Sequence, residues 1–157
     1  MVELCLILPI LIIVLLGGII DFGYAFYNYI TLQQLTNDAA MFASSPYVPI
    51  TEQNASGTSE IGQSDQDIKN YIIANKPPQW EYVGTPSPVH NNLFVTLPAP
   101  FKTADGLAYV RRVTLDFRSP LLTPFWKTVA NASPWNEGIP LRTSSAFQVP
   151  RNIWRSF

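Results

Sequence analysis

From Leu4 to Ile20 the chain carries no charged residue, and Pro9, Gly17 and Gly18 are the only members of that run that are not hydrophobic. These seventeen residues stand at the short end of the ~17–25 that cross a bilayer core. Asp21 closes the run, and Phe22, Tyr24, Phe26, Tyr27 and Tyr29 follow as an aromatic belt suited to a membrane interface. The helical pattern then continues. Leu32, Leu35, Ala39 and Phe42 recur at helical spacing, with Gln33, Gln34, Asn37 and Asp38 between them. Ser44-Ser45-Pro46 ends it, because the residue before proline is biased away from helix.

The pattern predicts one helix over about residues 2–44, ~65 Å long at about 1.5 Å per residue. Its first half is apolar on every side and its second half on one face only. Leu32, Leu35, Ala39 and Phe42 are therefore expected to pack on the chain's own domain. Leu4, Leu6, Ile7, Leu11, Ile12, Leu15, Leu16 and Ile19 are expected to pack on something else: lipid first, then like helices forming a filament core. Pro9 removes one helical hydrogen bond and crowds the preceding turn, so a bend is expected there.

Beyond residue 45 the pattern changes to a domain of short elements. Residues 46–64 are rich in Ser, Thr and Gln and read as an exposed loop. Ser64, with Asp67 three residues on, is a helix start, Ile68, Tyr71 and Ile72 supply one face, and Pro77-Pro78 close the helix. Asn92 to Leu97 is a strand candidate. Leu107 to Arg118 is the clearest strand, since Tyr109, Val113, Leu115 and Phe117 alternate with Arg112, Thr114, Asp116 and Arg118. Arg111 breaks that alternation and is expected to reach a sheet edge. Thr123-Pro124 suits the start of a short helix through Ala130. Leu141 to Val149 alternates again, with Leu141, Thr143, Phe147 and Val149 on one face. These pieces predict an α+β fold: a long N-terminal helix, residues 1–45, packed on a small antiparallel β-sheet head with short helices, residues 46–157.

Composition adds a polarity of charge. Seven acidic residues and no basic one precede Lys69, whereas ten Lys and Arg face four acidic residues from Lys69 onward, for a net charge of −1 overall. Acidic and basic faces meeting between neighbouring subunits would use that asymmetry. No nucleic-acid motif surrounds Arg111, Arg112 and Arg118, which share their region with Asp116. Thirteen of the fourteen prolines fall after residue 45, which favours strands and turns there. Cys5 is the only cysteine, so no disulfide forms within the chain.

Candidate chemistry is sparse. His90, the single histidine, lies in a Pro-rich loop and reads as a surface residue. No Cys/His cluster, Gly-rich phosphate loop or nucleophile motif is present, so neither catalysis, metal nor cofactor is expected. Trp80, Trp126, Trp135 and Trp154 fit core or subunit contacts better than a sugar platform. Asn54 and Asn131 stand in glycosylation-type triplets, which arise often by chance. Glu3 is the residue to watch. A carboxyl group at a helix N-terminus gains from the dipole, yet at the mouth of an apolar run it wants a partner. In staggered helices that partner is a neighbour's N-terminal amine, and the pair would set axial register. Asp21 is the lesser candidate, expected in water at the interface.

Val2-Glu3-Leu4 through Leu8-Pro9, the apolar run, Gly18-Ile19-Ile20-Asp21-Phe22-Gly23, Phe26-Tyr27 and the stretch Leu35 to Ala43 together resemble TadE-like pilins of tight-adherence pilus systems. The likeness is good over roughly the first 45 residues and loose toward the C-terminus. It implies a pilin-type helix in the inner membrane, a basic leader removed by a prepilin peptidase, and hand-over to a pilus assembly machine. The product would be an extracellular filament of identical subunits for attachment. Leader removal would account for the absence of a basic flank before the apolar run. In the general pilin pattern the glutamate follows the cut by about five residues, whereas Glu3 is third here. The alternatives are a low-copy pseudopilin that primes or caps a filament, and a membrane-anchored ligand-binding module.

Overall fold

The computed structural model describes residues 2–45, 64–99, 101–104, 108–123 and 138–150. Helix α1 spans Val2–Ser44 and passes through Pro9 without interruption. Its many Ile and Val residues are mediocre helix formers in water, but in an apolar medium helix is the conformation that satisfies every backbone group locally. The C-terminal turn is closed by hydroxyls: Ser44 Oγ donates to Met41 O (2.9 Å) and Ser45 Oγ to Phe42 O (2.7 Å).

Helix α2 spans Asp65–Asn75. Ser64 caps it, its Oγ accepting from Asp67 N (3.2 Å) and donating to Asp67 Oδ2 (2.6 Å). Ile68 and Ile72 are buried, and Tyr71 stacks on Phe42 of α1 with ring centroids 4.5 Å apart.

Among the described residues five strands follow: β1 Glu81–Val83, β2 Asn92–Thr96, β3 Phe101–Lys102, β4 Ala108–Ser119 and β5 Ile139–Pro150. The long β4 is the spine. β5 pairs antiparallel along its whole length, from Ala108↔Pro150 to Ser119↔Ile139. Both β2 and β3 pair antiparallel with its other edge, at Leu93↔Phe117 to Thr96↔Thr114 and at Phe101↔Val110 to Lys102↔Tyr109. They lie end to end, separated by a stretch containing Pro98 and Pro100, which have no N–H for a ladder. The sheet is therefore four strands wide although it has five segments. It departs from an all-antiparallel arrangement at one place, since β1 runs parallel to β2 with Glu81 opposite Asn92. Prolines 140 and 150 sit in β5, which among the described residues is paired on one edge only and so tolerates them.

One sheet face is the core face. Val113, Leu115 and Phe117 of β4 join Leu93 and Val95 of β2, Ile68 and Ile72 of α2, and Leu32, Leu35, Ala39, Ala40 and Ala43 of α1. Trp80, buried just before β1, stacks on Phe117 at 4.1 Å between ring centroids. Arg111 follows the alternation rather than breaking it. It occupies the core-facing position before Val113, is buried, and its guanidinium reaches out of the core to Asp65 at the start of α2. The sheet edge is not involved. An acidic residue of the first half thus meets a basic residue of the second within one chain. On the opposite face Asp116 and Arg142 form a cross-strand pair at 3.2 Å, and Arg112 lies over the Phe101 ring. His90 is exposed in the turn before β2. The loop before Ser64, the helix expected after Thr123, both glycosylation-type triplets and Trp126, Trp135 and Trp154 lie outside the described residues.

Candidate functional site

Helix α1 divides into three stretches by what covers it. Between Ile7 and Leu16 the described residues leave the helix largely uncovered, with Val14 alone half-buried. Ile7, Leu8, Ile10, Leu11, Ile12, Ile13, Leu15 and Leu16 are each 44–64% exposed, and Pro9 is exposed with them. Glu3, Leu4 and Leu6 belong to the helix by their backbone, and their side chains lie outside the described set. By length and composition this is a helix able to cross a membrane.

From Thr31 to Ser44 the helix has the ordinary amphipathic arrangement. Leu32, Leu35, Ala39, Ala40 and Ala43 are buried and Phe42 half-buried against the head, whereas Gln33, Gln34, Asn37 and Asp38 are exposed. Thr36 adds a polar contact inside this apolar seam. Its hydroxyl donates to Leu32 O (2.6 Å) and meets the Thr143 hydroxyl of β5. Since the Thr36 proton goes to the helix carbonyl, Thr143 is the donor between the two hydroxyls.

The stretch from Gly17 to Ile30 is the unexpected one. Gly17, Asp21, Ala25 and Asn28 form its buried stripe, and Ile19 remains exposed. Asp21 is not in water. It is 2% exposed and accepts three hydrogen bonds from the chain that leaves β4. Its Oδ1 takes the N–H groups of Leu122 (2.7 Å) and Thr123 (3.0 Å), and its Oδ2 takes the Thr123 hydroxyl (2.5 Å). Two turns further along, Asn28 Nδ2 donates to the buried Ser119 Oγ at 2.9 Å. The other amide atom, Oδ1, has no protein partner among the described residues. The chain after β4 therefore runs down α1 toward its apolar end, from Asn28 to Asp21 to Gly17. A methyl group at Gly17 would meet the Thr123 side chain at an ordinary 3.5 Å.

The start of β5 closes on the same place. Gly138 has φ +107°, and a Cβ there would stand 2.4 Å from Ser119 O, so this position requires glycine. A clasp of Asp21, Asn28, Ser119 and Thr123 results, fixing the head against the helix below the apolar core. The pattern reading overlooked it because Asp21 and Asn28 look like interruptions of an apolar helix. One signal was present: residues 21, 28 and 35 repeat every seven, so the stripe carried by Leu35 extends back through both polar residues.

Among the described residues no three His, Cys, Asp or Glu side chains gather as metal ligands would. Neither a curated protein nor a solved structure matches the chain. The model of the family described as TadE-like protein does match, over residues 1–41. Those residues make up nearly all of α1 and none of the sheet, so the likeness to TadE-like proteins is one of the N-terminal helix, and it suggests a pilus-associated protein that meets a membrane through that helix.

Proposed function

We propose that this chain is a structural pilin-like subunit that polymerises through α1 into an extracellular filament, with residues 1–45 as the assembly element and 46–157 as the coat. The observation that supports it is the Ile7–Leu16 stretch, in which eight large apolar side chains are left exposed by the chain's own head. Full burial of one such side chain is worth about 1.5–3 kcal/mol, so at roughly half exposure the stretch holds on the order of 10 kcal/mol toward whatever covers it. In the bilayer lipid covers it. On leaving the bilayer, like helices are the cover of matching chemistry, and their bundle is the filament core.

Identical subunits, a prepilin peptidase and a pilus assembly machine are the partners of this reading, and no catalytic step is assigned to the chain. Glu3 sets the axial register against a positive group of the neighbouring helix, and Pro9 lets the helix adjust within the bundle. Imaging of surface fibres tests the reading. Fibres built mainly of this chain are expected, and fibres holding only traces of it would replace the reading with that of a priming or capping subunit. Glu3→Ala is expected to lower fibre yield and leave membrane insertion unchanged; wild-type yield would remove Glu3 from the assembly step.

A further inference from the structure

Between Gly17 and Ile30, α1 is inside out. Asp21 and Asn28 are turned to the head, while Ile19, Ile20, Phe22, Phe26, Tyr27 and Ile30 are exposed. A helix covered by a head on one side and by water on the other has the opposite arrangement. The head segment that runs alongside this stretch, Pro120–Thr123, must meet the same surroundings as the apolar side chains at its level.

Two observations identify those surroundings. The first is depth. Asp21 lies about 27 Å along the helix from Glu3 at about 1.5 Å per residue, close to the ~30 Å thickness of a hydrocarbon core. With Glu3 at one edge of the core, Asp21 and the Leu122 and Thr123 amides bound to it lie at the other. The second is that two of the segment's three backbone N–H groups are taken up by protein. Non-helical backbone at membrane depth is tolerated only where protein groups take up its hydrogen bonds. Here a single carboxyl group takes the N–H of Leu122, the N–H of Thr123 and the Thr123 hydroxyl, and Pro120 has no N–H to satisfy. The Leu122 side chain is meanwhile 48% exposed, level with Ile19, Ile20 and Phe22.

We infer that Pro120–Thr123 is a lipid-contacting segment. Leu122, held by Asp21, enters the boundary between acyl chains and headgroups of the leaflet beneath the head. The head then rests on the membrane surface in a fixed orientation before assembly. Lipid is the occupant because the apolar surface here is continuous with the Ile7–Leu16 span and passes at Phe22, Phe26, Tyr27 and Tyr29 into aromatic side chains of the kind that sit at a membrane interface. The inference rests on α1 spanning the membrane, and the experiment separates the two.

The full chain in a Cys5→Ser background is reconstituted at low density in vesicles of phosphatidylethanolamine and phosphatidylglycerol. Single spin labels are placed through Ile13→Cys, Leu122→Cys and Met41→Cys, the last about 30 Å beyond Asp21 along the helix. Collision with oxygen is compared with collision with a water-soluble nickel chelate. The oxygen-to-nickel ratio at position 122 is expected several-fold above that at 41 and below that at 13. Adding Asp21→Ala is expected to move the ratio at 122 toward that at 41 and leave that at 13 in place. A water-like ratio at 122 with a hydrocarbon-like ratio at 13 overturns the inference and keeps the span. Water-like ratios at both overturn the span beneath it. Spin coupling at 122 that disappears on dilution with lipid assigns the surface to a second copy of the chain and likewise overturns the lipid contact.

Discussion

Two consecutive stretches of one helix meet the head in opposite ways. From Thr31 to Ser44, α1 gives the head its apolar side, and Leu32, Leu35 and Ala39 enter a shared core with Leu115 and Phe117. From Gly17 to Ile30 it gives the head Asp21 and Asn28 and keeps its large apolar side chains outside. The first contact is driven by area removed from water, is non-directional, and is robust to small shifts. The second is made of hydrogen bonds with fixed partners and so specifies register more than it stabilises. The helix can thus be mounted on the head over much of its length without using the apolar surface that the proposed membrane and filament contacts require. A head docked wholly through leucines would cover part of the surface that lipid or neighbouring helices need.

Four substitutions sharpen this contrast, ordered by the loss of head stability expected in denaturant unfolding of the detergent-solubilised chain. Leu32→Ala opens a cavity at a fully buried site and is expected to cost about 2–5 kcal/mol. Asp21→Ala strands two amides and a hydroxyl and is expected to cost about 1–3 kcal/mol. Its signature is local: hydrogen exchange should accelerate at Leu122 and Thr123 and not at Leu115. Were exchange to rise evenly over the head instead, the clasp would be part of one cooperative core and the contrast would fail. Thr36→Val removes the bridge from Leu32 O to Thr143 and is expected to cost about 1 kcal/mol. Ile13→Ala, in the uncovered stretch, should leave head stability within about 0.5 kcal/mol. Any larger loss would mean that the head is not independent of that stretch; the same variant should lower fibre yield.

Much of the fold was legible because the relevant signals are local. The uncharged run, the Ser64–Asp67 cap with Ile68 and Ile72, and the alternation through Leu115 and Phe117 each describe a helix or strand without reference to the rest of the chain. β1 and β3 were not legible. Three and two residues long, they are strands only because β2 and β4 offer them hydrogen bonds. Arg111 was misplaced because its position in the alternation, not its charge, decides its direction, and the chain supplies Asp65 where the guanidinium emerges. The burial of Asp21 was invisible for a related reason. A carboxyl group after an apolar run reads as the point where water begins, unless its donors are known.

The sequence by itself determined that residues 2–44 form a helix with an apolar end in need of a non-aqueous cover. Helical period and the absence of charge are properties of neighbours along the chain. Only the tertiary structure decided which side of that helix the head takes between Gly17 and Ile30, because the donors that choose Asp21 come from Leu122 and Thr123, 101 and 102 positions away. Hydrogen-bond partners at that separation are fixed by where β4 ends against the helix, and no local pattern encodes that end point.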